Sequence, residues 1–152
     1  MSLDMWLNRK IYVGANFNFN DIEGEISIIK DGEKLNIDFD KVVYVIERAG
    51  EWNGADAIHA WFVSNVQDDV DNCAEYYVAG YQLKELYDLC KDVLNKYDAE
   101  YAADKLPVDL WDEENPYDRW YFESLFDTMR IIEKIMLVDP NLEGEYTYTS
   151  SW

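Results

Sequence analysis

Between Gln82 and Tyr97 the apolar residues Leu83, Leu86, Tyr87, Cys90, Val93, Leu94 and Tyr97 recur at i, i+3, i+4 and i+7. Only a helix gathers that spacing onto one stripe, and the stripe must be covered by another layer. A second stripe follows from Tyr117 to about Leu137, where Tyr121, Leu125, Met129 or Thr128, Ile132 and Met136 share a face. Asn115 and Pro116 occupy the places of a cap and a first helical residue, and Asp139-Pro140-Asn141 ends the run.

What covers these stripes is sought at the two ends of the chain. "RKIYVGANF" (Arg9 to Phe17) is β-rich and reads as a first strand. Around Asp31-Gly32, a strong hairpin signal, polar and apolar residues alternate and predict strands from Glu25 to Lys30 and from Lys34 to Asp38. "EYYVA" (Glu75 to Ala79) is a short β run. The tail "EGEYTYTSSW" alternates aromatic and small polar residues and is expected to pair with the N-terminal strands.

"DFDKVVYVIERAG" fits two descriptions. Its Val and Ile content suits a strand, whereas Asp40 as a cap and Gly50 as a stop suit a helix over Lys41 to Arg48, the preferred reading. A helix is also expected after Asn53, with Ile58, Trp61, Phe62, Asn65 and Val66 on one face. "DAEYAADKLPVDLWDEEN" reads as a loop. The sum is one α+β domain over residues 1–152, a small antiparallel sheet of N-terminal strands and C-terminal tail packed against about four helices.

The charge restricts function. Thirty-two acids against thirteen bases leave a formal −19, where solubility needs a magnitude of only about 2–8. Direct nucleic-acid binding is disfavoured, because affinity for phosphate comes from Lys and Arg. No run of 18 apolar residues predicts a membrane span, and "MSLDMWLNRK" lacks the layout of a secretory signal, so a cytoplasmic location is expected. Cys73 and Cys90 form no CxxC pair and are expected as reduced thiols.

Specific chemistry is sparse. Asp68, Asp69 and Asp71 suggest part of a calcium loop, but the central glycine and the ligand spacing are missing, so no metal is expected. Any histidine-based mechanism would have to use His59, the one histidine, and no nucleophile-elbow sequence accompanies it. Neither GxGxxG nor a P-loop occurs. The expectation is a non-enzymatic protein without a cofactor.

The densest feature is acidic. From Asp98 to Asp118 there are eight acids and one base, Lys105, interleaved with Tyr101, Trp111 and Tyr117. Carboxylates on a folded surface imitate the field of nucleic acid, and aromatic residues anchor interfaces. Asp109, Trp111, Asp112, Glu113, Glu114 and Asp118 are therefore the expected contacts to a basic partner surface. An alternative is a pocket for a small ligand or nucleotide signal at Trp61, Asn65, Gln67 and Asn72.

"ADAIHAWFVSNVQDDVDNCAEYYV", "LKELYDLCKDVL" and "YTYTSSW" resemble segments of a group of small uncharacterised proteins encoded by bacteriophages and prophages. That group has a WFV-NVQ-D-NC-YYV core, a Leu-rich helix, an aromatic helix and a Ser-Ser-Trp end. This chain departs from it at "GEWNGAD", where relatives carry basic residues near the tryptophan, so no basic side chain there is carried over. The resemblance implies action inside a bacterial cell. By context it suggests an inhibitor of host defence, such as an anti-CRISPR protein directed at a CRISPR nuclease.

Overall fold

A computed structural model describes residues 2–14, 27–108 and 115–152. Its centre is a four-stranded antiparallel sheet: β1 (Asp4–Tyr12), β4 (Tyr44–Asn53), β5 (Tyr76–Val78) and β6 (Glu145–Ser151), in the order β4-β1-β6-β5. The first and last strands are the two inner ones. Four helices, α1 (Asp56–Val66), α2 (Gly80–Lys96), α3 (Ala99–Lys105) and α4 (Arg119–Val138), complete the α+β fold. The C-terminal tail pairs with the N-terminal strand as its alternation requires, Trp6 facing Thr149 and Leu7 facing Tyr148.

Alternation along the strands assigns the faces. Met5 and Leu7 on β1 and Tyr146 and Tyr148 on β6 are fully buried, whereas Trp6 and Thr149 lie on the opposite face. From the helices come Ile58 and Phe62, Leu83, Leu86, Cys90 and Val93, and Leu125 and Ile132, all without exposure. Each fully buried aliphatic chain of this kind contributes about 1.5–3 kcal/mol. Phe62 stacks on Tyr148 with ring centroids 3.9 Å apart.

Three expectations need correction. Residues 44 to 48 belong to strand β4, not to a helix. The Val42, Val43, Val45 and Ile46 run decides for extended backbone once β1 offers a partner along its whole length. Gly50 does not stop a helix; it lets α4 approach, because a Cβ there would lie 2.4 Å from the Ile131 side chain. Residues 99 to 105, read as loop, form α3. Asp98 caps it, accepting from Tyr101 N at 2.8 Å, and Ala102 is buried. The cap of α4 is Asp118, which accepts from Tyr121 N at 3.1 Å, rather than Asn115.

The hairpin at Asp31-Gly32 is present. Both residues have positive φ (54° and 82°), the pair of left-handed positions that a two-residue turn between twisted strands demands. Its strands are short, β2 (Ile29–Lys30) and β3 (Glu33–Lys34). Asp38 instead caps a single 3₁₀ turn, Phe39–Lys41. Residues 25 and 26 lie outside the described residues.

Gly80 opens α2 where the chain between α4 and β6 crosses it. A Cβ there would stand 1.9 Å from the Leu142 carbonyl oxygen, so only glycine fits. Gln82 ties the same corner. Its Oε1 accepts from Ala79 N at 2.9 Å, and its Nε2 donates to Asn65 O at 2.6 Å.

Candidate functional site

The polar segment after α1 is shaped by two left-handed residues, Asp68 (φ 52°) and Asp69 (φ 60°). Asp tolerates that conformation better than most residues. Gln67 N bonds Phe62 O at 3.1 Å and Asp69 N bonds Val63 O at 3.0 Å, so these two carbonyls near the end of α1 are satisfied as the chain reverses. This closure explains three acids at a helix end whose dipole disfavours them. The first two make the reversal, and the third, Asp71, returns to the helix and meets His59.

His59 is held from both sides. Nε2 lies 3.0 Å from Asp71 Oδ1, and Nδ1 lies 2.8 Å from the Tyr148 hydroxyl. The carboxylate can only accept, so Nε2–H is the donor, and in the tautomer protonated at Nε2 alone Nδ1 accepts the tyrosine O–H. Burial pushes the Tyr148 hydroxyl far up, which keeps that proton in place. The chain of groups has the connectivity of an acid–base–nucleophile triad, but its hydroxyl end is completely buried and stacked on Phe62. Both imidazole nitrogens are committed. The arrangement fastens α1, the Asp71 turn and β6 together.

Beside it lies a cleft of about 810 Å³ whose walls include Asp56, His59, Val63, Asp71, Val108 and Trp152. A second groove of about 360 Å³ shares Asp56 and Val108 and continues to Asp118 and Trp120. Among the described residues, Asp56, Asp71 and Asp118 are the carboxylates that line the two hollows, and no Lys or Arg does so. Asp56 is half-buried in the first turn of α1, where the helix dipole favours its charge. It has no hydrogen-bond or ion-pair partner among the described residues. Trp120 and Trp152 are 75% and 44% exposed, and the Trp152 ring stands 5.9 Å from that of His59. The nearest base on α4, Arg119, is bound to Glu123 at 2.6 Å.

The residues expected from sequence fall differently. Asp109, Trp111, Asp112, Glu113 and Glu114 lie outside the described residues. Asp118 is exposed, serves as the α4 cap and lines the smaller groove. Trp61, Asn65, Gln67 and Asn72 line neither hollow. Trp61 is in the core, and Asn65 donates to Trp61 O at 2.8 Å. Gln67, with 1% exposure, donates to Val70 O at 3.0 Å, and Asn72 donates to the Tyr76 hydroxyl at 2.9 Å. Their polar groups stitch the turn. Arg9, Lys10 and Arg48 do not converge on a phosphate either, since each sits beside an acid: Glu47, Glu75 and Glu51.

Sequence reasoning did not single out Asp56, Trp120 or Trp152. Their place in the cleft depends on chain reversals that no local pattern encodes. Among the described residues no group of three or more His, Cys, Asp or Glu is placed to hold a metal ion. No helix among them is long and apolar enough to cross a membrane. No protein-family model matches the chain, and no curated protein or solved structure matches it.

Proposed function

We propose that the protein is a non-enzymatic binding protein that engages the basic, nucleic-acid-binding surface of another protein. The observation that carries this reading is the pair of adjoining hollows walled by Asp56, Asp71 and Asp118, with exposed Trp120 and Trp152 and no Lys or Arg among the described lining residues. The formal −19 of the chain supplies the long-range attraction. Carboxylates speed encounter with a positive surface, and desolvated indoles slow release. The resemblance to phage-encoded proteins suggests a defence protein of the bacterial host, such as a CRISPR nuclease, as the one inhibited in the cytoplasm. A nucleotide ligand has less support, because no Lys or Arg among the described residues lines either hollow to meet a phosphate.

The test is retention of proteins from a bacterial lysate carrying defence systems on the immobilised chain, followed by competition with duplex DNA and by added salt. Basic nucleic-acid-binding proteins are expected to be retained and to be released by either treatment. The Asp56→Asn, Asp118→Asn double variant, in which Asn still caps α4, is expected to retain less. Retention indifferent to both DNA and salt would sink the reading.

A further inference from the structure

The larger hollow carries more detail than a generally negative surface. Asp71 spends one carboxylate oxygen, Oδ1, on His59. It keeps a side chain 49% exposed on the cleft wall. Asp56, in the first turn of α1, brings a second carboxylate to the cleft wall, without a partner among the described residues. The rings of Trp152 and His59, 5.9 Å apart and inclined at 48°, line the same cleft. Leu3, Val63 and Val108 add apolar wall. Carboxylates and an aromatic face lining one cleft, with no Lys or Arg among the described lining residues, select a cation that can also stack.

We propose that this cleft is a socket for an arginine side chain of the partner, its guanidinium held by Asp56 and Asp71 and stacked against Trp152. The proposal rests on the binding reading given above and specifies the group recognised. A guanidinium is planar, weakly hydrated and presents five donors in a fixed fork, so it stacks on an indole while donating to carboxylates. An ammonium offers a compact charge with a tightly held water shell and gains less from the ring. His59, tied to Asp71 and Tyr148, sets the carboxylate's direction. The volume of about 810 Å³ exceeds one side chain and admits the residues flanking the arginine as well.

The experiment follows the indole and imidazole signals of the isotope-labelled full chain during titration with N-acetyl-argininamide and, separately, N-acetyl-lysinamide. The arginine probe is expected to move the Trp152 indole and His59 ring signals saturably. The lysine probe is expected to bind roughly tenfold more weakly. Asp56→Asn and Trp152→Ala should each weaken the arginine probe about tenfold or more while the remaining spectrum keeps its dispersion. Equal response to both probes, or a Trp152 signal that never moves, overturns the socket. If Trp152 stays silent while basic proteins are still retained, the socket alone falls. If retention is lost while the argininamide response persists, the binding reading falls and the socket stands as a site for a free guanidinium compound.

Discussion

In the core, the Trp52 indole donates to the Thr128 hydroxyl at 2.9 Å, and that hydroxyl donates onward to Ser124 O at 2.7 Å. Thr128 is wholly buried and Trp52 is 6% exposed, so water cannot replace either partner. Thr128→Val keeps the shape and strands the indole N–H, which costs about 1–3 kcal/mol. Thermal unfolding should shift downward by several degrees; an unchanged midpoint would show that the bond contributes nothing. The helical period left Thr128 and Met129 as rival inward positions. The structure buries Thr128 and leaves Met129 half-buried, a choice made by a partner 76 residues away and therefore invisible to local pattern. The same distance effect hid His59. Its sequence neighbours say only that it flanks an apolar face, while its partners Asp71 and Tyr148 arrive from a turn and a strand.

At the scale of elements, the turn from α4 into β6 depends on Asp139. Its carboxylate accepts from Tyr146 O–H at 2.5 Å, Gly144 N at 2.8 Å and Glu143 N at 3.1 Å. Partial burial would raise its pKa, but the bonds from Tyr146, Gly144 and Glu143, with Arg9 nearby, outweigh it and hold the carboxyl below its ordinary 3.8. A depressed carboxyl stabilises the fold above its unfolded value and loses that contribution as pH falls through its folded value. Asp139→Asn should therefore be less stable than the parent at neutral pH, and the gap should close as pH drops below 3.8. Urea unfolding across that range checks it, and a gap independent of pH would contradict the carboxylate's role. The stop at Asp139-Pro140-Asn141 was legible, as were α2, α4, the hairpin and β5, because each follows a strong local rule. β4 was not legible, since its identity is conferred by pairing with β1. Nor was α3, a helix of seven residues that buries only Ala102, too short to show a helical period.

Over the whole molecule, −19 charges at close quarters repel one another. Chloride salt shortens the range of that repulsion from about 30 Å at 0.01 M to about 8 Å at 0.15 M. The free protein should therefore melt higher as sodium chloride rises over that interval, while its complex with a basic partner weakens. Opposite signs in one titration would separate self-repulsion from recognition; a melting midpoint that falls with salt would contradict the first half. The closing of the sheet by the tail could be read at this scale from the alternation in "EYTYTSS". The cleft could not, because Leu3, Asp56, Asp71, Val108 and Trp152 come from five separated stretches.

The inner position of β1 and β6 has a consequence for synthesis. β1 is made before the helices α1 to α4, yet one of its two neighbours, β6, bearing the large buried rings of Tyr146 and Tyr148, is made after them. Until then the apolar stripes of α1, α2 and α4 have no completed sheet to cover them, and the nascent chain is a natural client for a chaperone. Pairing Asp4 with Ser151 also spans nearly the whole sequence, the kind of distant closure that makes folding slow.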